Sequence, residues 1–229
     1  MSNHMRREVE NLKRNILSLS AIVEESLEKA AIAQRTRDAA MAQAIIDGDY
    51  DVDMREVDIE EECQKILALH QPVASDLRFI IACLKINAEL ERIGDATVNI
   101  AERTVYLASV PRIDVDLDFQ TMAQKAAVML SKSLDALVNE DAALAYEVIL
   151  SDDEVDAMNR DMYHQVQDAV RANINDLEAL IHCLGISRHL ERIADHATNI
   201  AEDVIYMIEG QIVRHRTEDY EGQMEKSKK

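Results

Sequence analysis

The 229-residue sequence holds five Gly, two Pro, two Phe, six Tyr and no Trp. So few turn-formers and rings exclude a β sandwich or barrel, which needs Gly-rich turns and strands of β-branched or aromatic residues. Long apolar runs are missing too: the longest, Phe79 to Leu84, falls far short of a membrane span. The stretch from Met1 to Arg14 is polar and basic, without the apolar segment of a signal peptide. Cysteine is scarce. Cys63, Cys83 and Cys183 lie inside apolar helical patterns and form no CxxC, the usage of a reducing cytoplasm. Positive charge is in deficit, with 25 Lys and Arg against 44 Asp and Glu and a net charge of −19. A field of that sign repels phosphate backbones and anionic headgroups, so neither nucleic-acid binding nor direct membrane insertion is expected. Metal ions and basic patches on other proteins are the partners it attracts.

What is present is a repeat. Leu90-Glu91-Arg92-Ile93-Gly94-Asp95 recurs 100 residues later as Leu190-Glu191-Arg192-Ile193-Ala194-Asp195, and Asn99-Ile100-Ala101-Glu102 recurs as Asn199-Ile200-Ala201-Glu202. Upstream, Asp38-Ala39-Ala40-Met41-Ala42 matches Asp141-Ala142-Ala143-Leu144-Ala145 at an offset of 103, and Ser26-Leu27-Glu28 matches Ser133-Leu134-Asp135 at 107. Length changes confined to junctions, one of them the turn His70-Gln71-Pro72-Val73, are what a repeated three-helix unit tolerates. The apolar spacing alternates between three and four through Leu12, Ile16, Leu19, Val23 and Leu27, and again through Ile86, Leu90, Ile93, Thr97, Ile100, Thr104 and Leu107. Such seams predict helices packed at shallow bundle angles.

The expected fold is therefore all-α, six helices in two three-helix bundles. The first repeat spans 1–112, the second 113–210, and a polar tail 211–229. Each half is expected to build its own core, with a linker from Ala108 to Asp118 and a boundary near Pro111. Thr36 and Asn139 are the expected N-caps of the second and fifth helices, and Ser75 and Asn175 those of the third and sixth, where Asp76 and Asp176 complement the helix dipole.

Carboxylates recur at a spacing suited to cations. Residues four apart share a helix face, with Cβ atoms about 5 to 6 Å apart, so two carboxylates can hold one hard ion. Such pairs stand at equivalent positions of both halves: Asp49 with Asp53, Glu91 with Asp95, Asp152 with Asp156, and Glu191 with Asp195. Glu56, Glu60, Asn99 and Glu102 extend the same arcs. Antiparallel packing of the second helix on the third would set two acidic stripes face to face. A single such pair is usually a solvated face; recurrence in both halves favours metal, and all-oxygen ligation suits magnesium, manganese, calcium or iron better than structural zinc. His182, His189 and His196 form a heptad line turned away from the acids and read as surface or interdomain residues. Arg92 and Arg192 read as helix-surface salt-bridge formers, and the Met residues as core fillers.

No nucleophile-base set, phosphate loop or zinc motif is present. A dimetal carboxylate enzyme of ferritin-like type needs Glu-xx-His on two helices, and only Asp161-xx-His164 approximates it, once. A metal-free structural helical adaptor is the other alternative.

Gln71-Pro72-Val73-Ala74-Ser75-Asp76-Leu77-Arg78, followed by the Leu90 motif and its copy at Leu190, strongly resembles the PhoU family of phosphate-signalling proteins, over roughly residues 5 to 212. The resemblance implies pseudo-twofold symmetry and binding of iron, zinc, manganese, magnesium or other divalent or trivalent ions at Asp49, Asp53, Glu91, Asp95, Asp152, Asp156, Glu191 and Asp195. It further implies a regulator and not an enzyme, linking the ATPase subunit of a phosphate ABC transporter to a sensor histidine kinase. A cytoplasmic homodimer is expected, peripheral at the inner membrane through the transporter. The sequence departs from its own repeat where Glu178 stands opposite Arg78, Ala194 opposite Gly94 and Asn159 opposite Glu56, so the second site is expected to differ.

Overall fold

A computed structural model describes residues 3–213, and most of the expected tail lies outside them. Six helices follow in order: α1 (Asn3–Thr36), α2 (Ala39–His70), α3 (Ala74–Ser109), α4 (Phe119–Asn139), α5 (Ala142–Ala172) and α6 (Leu177–Glu209), with a 3₁₀ turn at Ile174–Asp176 before the last. Among the described residues there is no strand, and no helix is long and apolar enough to cross a membrane. α1 to α3 and α4 to α6 form two three-helix bundles with pseudo-twofold symmetry. The connection between them, residues 110–118, begins two residues later than expected because α3 runs to Ser109.

The seams close as their spacing demands. Leu12, Ile16, Leu19, Val23 and Leu27 are fully buried, as are Ile86, Leu90, Ile93, Thr97, Ile100 and Thr104. The two threonines are admitted because their hydroxyls donate to the carbonyls of Ile93 and Ile100, one turn back. Met122, Met129 and Met162 fill the core as flexible apolar side chains.

The helix starts correct the expected caps. Asp38 and Asp141 cap α2 and α5, their carboxylates accepting from the backbone N–H groups of Met41 and Leu144 at 2.9 and 3.0 Å. Thr36 and Asn139 instead end the preceding helices, and their side chains donate back to Ile32 and Asp135 carbonyls. The reversal before each cap is made by a left-handed residue, Arg37 (φ 57°) or Glu140 (φ 52°). α3 starts after Val73 with no side-chain cap, and neither does Asn175 cap α6: Asn173 accepts from the Asn175 N–H to start the 3₁₀ turn, and α6 follows after Asp176 without a side-chain cap. Asp141→Ala is expected to cost about 1 kcal/mol, read as a lower urea midpoint at unchanged slope; Asp141→Asn should restore most of it, and equal loss in both would refute the capping role.

The halves are joined broadly. α3 and α6 make the most extensive contact of any two helices, and one apolar core runs through both bundles. Around a small gap, Leu27 and Ile100 of the first half meet Phe119, Ile186 and Leu190 of the second. Glu89 on α3 accepts from His196 Nδ1 at 2.7 Å and from Asn199 at 3.1 Å on α6, and Lys85 reaches the buried Asp203 at 2.8 Å. Burial would raise the pKa of Glu89, but the bonds from His196 and Asn199 outweigh it and hold it below the usual carboxylate range. The histidine line is thus interdomain: His182 stacks on Tyr106 at 3.8 Å, and the buried His189 is pushed down to about 4 by desolvation, then by Arg103, Arg192 and Arg188. Arg92, half-exposed, pairs with the same buried Glu89 at 2.9 Å, so its salt bridge joins the interdomain cluster and does not lie on the free helix surface that was expected.

Candidate metal faces

The stripes meet. In the first half, burial foremost and then Asp53 and Asp95 raise the pKa of Asp49. Glu91 is raised by burial, then by Asp95, Glu56 and Asp53, so carboxylates of α2 and α3 share one field. Gly94 brings the helices together at this level: a Cβ there would stand 3.3 Å from Val52 Cγ1 and 3.9 Å from Asp49 Oδ1. From the α1 side a cavity of about 500 Å³, lined in part by Ile22, Ile45 and Val52, reaches Asp49 and Gly94.

The second half repeats the arrangement with α5 and α6. Asp152 is pushed up to about 7, by desolvation first, then by Asp195, Asp156, Asp153 and Glu191. Glu191 and Asp195 are raised by burial and by Asp156, against partial relief from Arg192. Asp152 Oδ1 is buried with no hydrogen-bond partner. An acceptor in that position leaves a desolvation cost that a cation would remove. Each site residue expected from sequence therefore lies on one of two faces: Asp49, Asp53, Glu91 and Asp95 on the first, Asp152, Asp156, Glu191 and Asp195 on the second.

The faces differ as the departures from the repeat foretold. Glu56 adds a fifth carboxylate to the first, where Asn87 donates to its Oε1 at 3.3 Å and its carbonyl at 2.8 Å. At the equivalent place Ser187 donates to Asn159 Oδ1 at 2.6 Å, so a neutral pair replaces a charged one. Arg160, 3.6 Å from Asp156, further offsets the second face. The fit to cations is one of donor chemistry: clustered, partly desolvated carboxylates would lose protons to solvent as a metal binds their anionic form. The acidic side chains are not closed into a cage. Among the described residues, the group of His, Cys, Asp or Glu whose ligand atoms all lie within 4.8 Å of one another is a different one, His4, Glu8 and His70. Sequence reasoning passed over it; its one local signal is a His-xxx-Glu spacing at the start of α1.

Comparison with known proteins agrees with this architecture. The PhoU domain model matches twice, over residues 16–104 and 119–204. The phosphate-specific transport system accessory protein PhoU homolog of Aquifex aeolicus is 36% identical over 210 residues, covering 92% of this chain and 95% of its own. The crystal structure of PhoU from Pseudomonas aeruginosa superposes with a TM-score of 0.88 at 32% identity, over 90% of this chain and 99% of that one. That of the phosphate transport system regulatory protein PhoU from Streptococcus pneumoniae gives 0.82 at 28% identity, over 91% and 99%.

Proposed function

This chain belongs to the PhoU family, and we propose that it is a metal-binding regulator of phosphate uptake and of phosphate-starvation gene expression. Its relatives carry the names of transport-system accessory and regulatory proteins, which supports a role in controlling phosphate transport. In the finer reading the chain acts as an adaptor, holding the ATPase subunit of the phosphate transporter and a sensor histidine kinase in one assembly. The observation that carries the metal part is the meeting of dicarboxylates from neighbouring helices in both repeats, with Asp152 Oδ1 left unpartnered.

Asp49, Asp53, Glu91 and Asp95 would hold one metal group, and Asp152, Asp156, Glu191 and Asp195 the other. Iron, manganese, magnesium or zinc would supply fixed positive charge that relieves the carboxylate repulsion and stiffens the α2–α3 and α5–α6 pairs. The residues themselves act by binding and orientation. A surface of net charge −19 with two quasi-equivalent acidic faces suits docking to basic patches on two proteins at once. The sequence lacks the paired Glu-xx-His of ferritin-like dimetal enzymes, which favours a regulator over that alternative.

Deleting the gene in a host with no paralogue is expected to leave phosphate-starvation genes expressed in high phosphate. Restoration by the wild type and by an eightfold variant lacking the metal carboxylates separates the two parts of the reading. If wild-type repression returns with the eightfold variant, the metals are bystanders; normal control in the deletion strain refutes the regulatory role.

A further inference from the structure

One convergent set of side chains lies apart from both acidic faces. His4 and Glu8 stand one turn apart at the start of α1, and His70 is the last residue of α2. Glu8 Oε1 is 3.6 Å from His4 Nε2, and Glu8 Oε2 is 2.5 Å from His70 Nε2. The two imidazoles meet edge to face with centroids 5.6 Å apart. All three ligand atoms lie within 4.8 Å of one another. Access is graded: the side chains of Glu8 and His70 are 10% and 15% exposed, whereas that of His4 is 71% exposed. A buried carboxylate thus lies beside one largely buried and one exposed imidazole, with solvent access from the His4 side.

We propose that His4, Glu8 and His70 form a binding site for a borderline divalent transition ion, Zn²⁺ or one of similar ligand preference, that ties the start of α1 to the end of α2. Two imidazole nitrogens and one carboxylate, with a fourth position open to water, are the donor set such an ion takes in place of the all-oxygen set favoured by hard cations. Tetrahedral bonds of 2.0 to 2.1 Å place ligand atoms about 3.3 Å apart. The two imidazoles approach different oxygens of Glu8, at 3.6 and 2.5 Å, and one ligand atom from each residue can be chosen with all three within 4.8 Å, so side-chain shifts of about 1.5 Å or less bring them to that spacing as the ion replaces the shared proton. Glu8 is ready as an anion: the hydrogen bond from His70 lowers its pKa against the opposing effect of burial, with Lys65 and His4 adding to the fall.

The competing account is a simple ion-pair cluster, because Lys65 Nζ stands 3.3 Å from Glu8 Oε1. The two accounts part over Lys65. Its side chain is 60% exposed and can swing away, so in a metal site it competes with the ion; in an ion-pair cluster it is a member.

The test is a Zn²⁺ titration of the full-length protein, labelled with ¹⁵N-histidine and followed by NMR, with calorimetry alongside. The sequence has seven histidines. Zn²⁺ should move the Nε2 resonances of two together, assigned to His4 and His70 by the loss of each signal in His4→Ala and His70→Ala. His4→Ala, at an exposed position, should weaken that binding step at least about tenfold, and Lys65→Gln should tighten it. The acidic faces, which carry no histidine ligand, do not contribute to the imidazole readout, so failure here leaves the reading of those faces untouched. A shift of His4 alone, no shift of either ring at millimolar Zn²⁺, or an affinity unmoved by His4→Ala or by Lys65→Gln would each overturn the proposal.

Discussion

Metal-free protein carrying Asp152→Asn is expected to melt several degrees above the wild type at pH 8, by a smaller margin at pH 5, and no higher than it below about pH 4. The native pKa of Asp152 is pushed up to about 7, against an ordinary value of 3.8, by burial and by the four carboxylates around it. Below about pH 4 the group is protonated in both native and unfolded chains and contributes nothing. Between about pH 4 and 7 the native state keeps a proton that the unfolded state has released, so stability falls as pH rises through that window. Above it the full penalty of a buried, crowded anion remains. Each pK unit corresponds to 1.36 kcal/mol, and because the charge is shared with Asp156, Asp195 and Glu191, a net relief on the order of 2 kcal/mol is expected. For a chain of this size that is about 4 to 8 °C.

Metal should reverse the order. At a hundredfold excess over its dissociation constant a bound ion stabilises the wild type by about 2.7 kcal/mol per site, whereas the variant, short of one carboxylate, keeps only the response of the first face. Scanning calorimetry below about pH 4, at pH 5 and at pH 8, with and without Mn²⁺ at the highest of these, checks this. A variant that melts below the wild type in chelator, or that gains as much from Mn²⁺, would remove Asp152 from the ligand set.

Why the acidic faces were legible in the sequence and their surroundings were not follows from chain distance. Carboxylates four apart on one helix declare their common face locally, and the repeat offsets of 100 and 103 declare that two helices of each bundle carry them. The caps were misplaced by local chemistry. Arg37 and Glu140 adopt left-handed backbone without being Gly or Asn, so no turn residue announced that α1 and α4 run on to Thr36 and Asn139. The Glu89 to His196 bond joins residues 107 apart, and the Glu8 to His70 contact joins residues 62 apart. Neither partner is conspicuous by itself. The exchange of Glu56 with Asn87 for Asn159 with Ser187 shows the same limit: one member was noted as a departure from the repeat, but its partner became apparent only once α2 was packed on α3 and α5 on α6.

Residues 1–112 expressed alone are expected to fold only on associating. The boundary near Pro111 is well placed between helices, yet Leu27 and Ile100 meet Phe119, Ile186 and Leu190 across it, and α3 lies along α6 over the broadest contact in the molecule. Removing the second half exposes that apolar face, and the related face of a second copy is the nearest substitute, since α3 and α6 are copies of one another. The substitute is imperfect. Glu89 loses His196, whose equivalent in the first half is Ala96, so the paired halves would bury a carboxylate short of one of its hydrogen bonds, at a cost of about 1 to 3 kcal/mol. The fragment should therefore sediment as a weak dimer, with a melting temperature that rises over a tenfold increase in concentration. Adding residues 113–210 should convert it to a more stable one-to-one complex. A monomeric fragment with a sharp, concentration-independent transition would show that each bundle is a domain in its own right, and that the α3–α6 contact joins two units already complete.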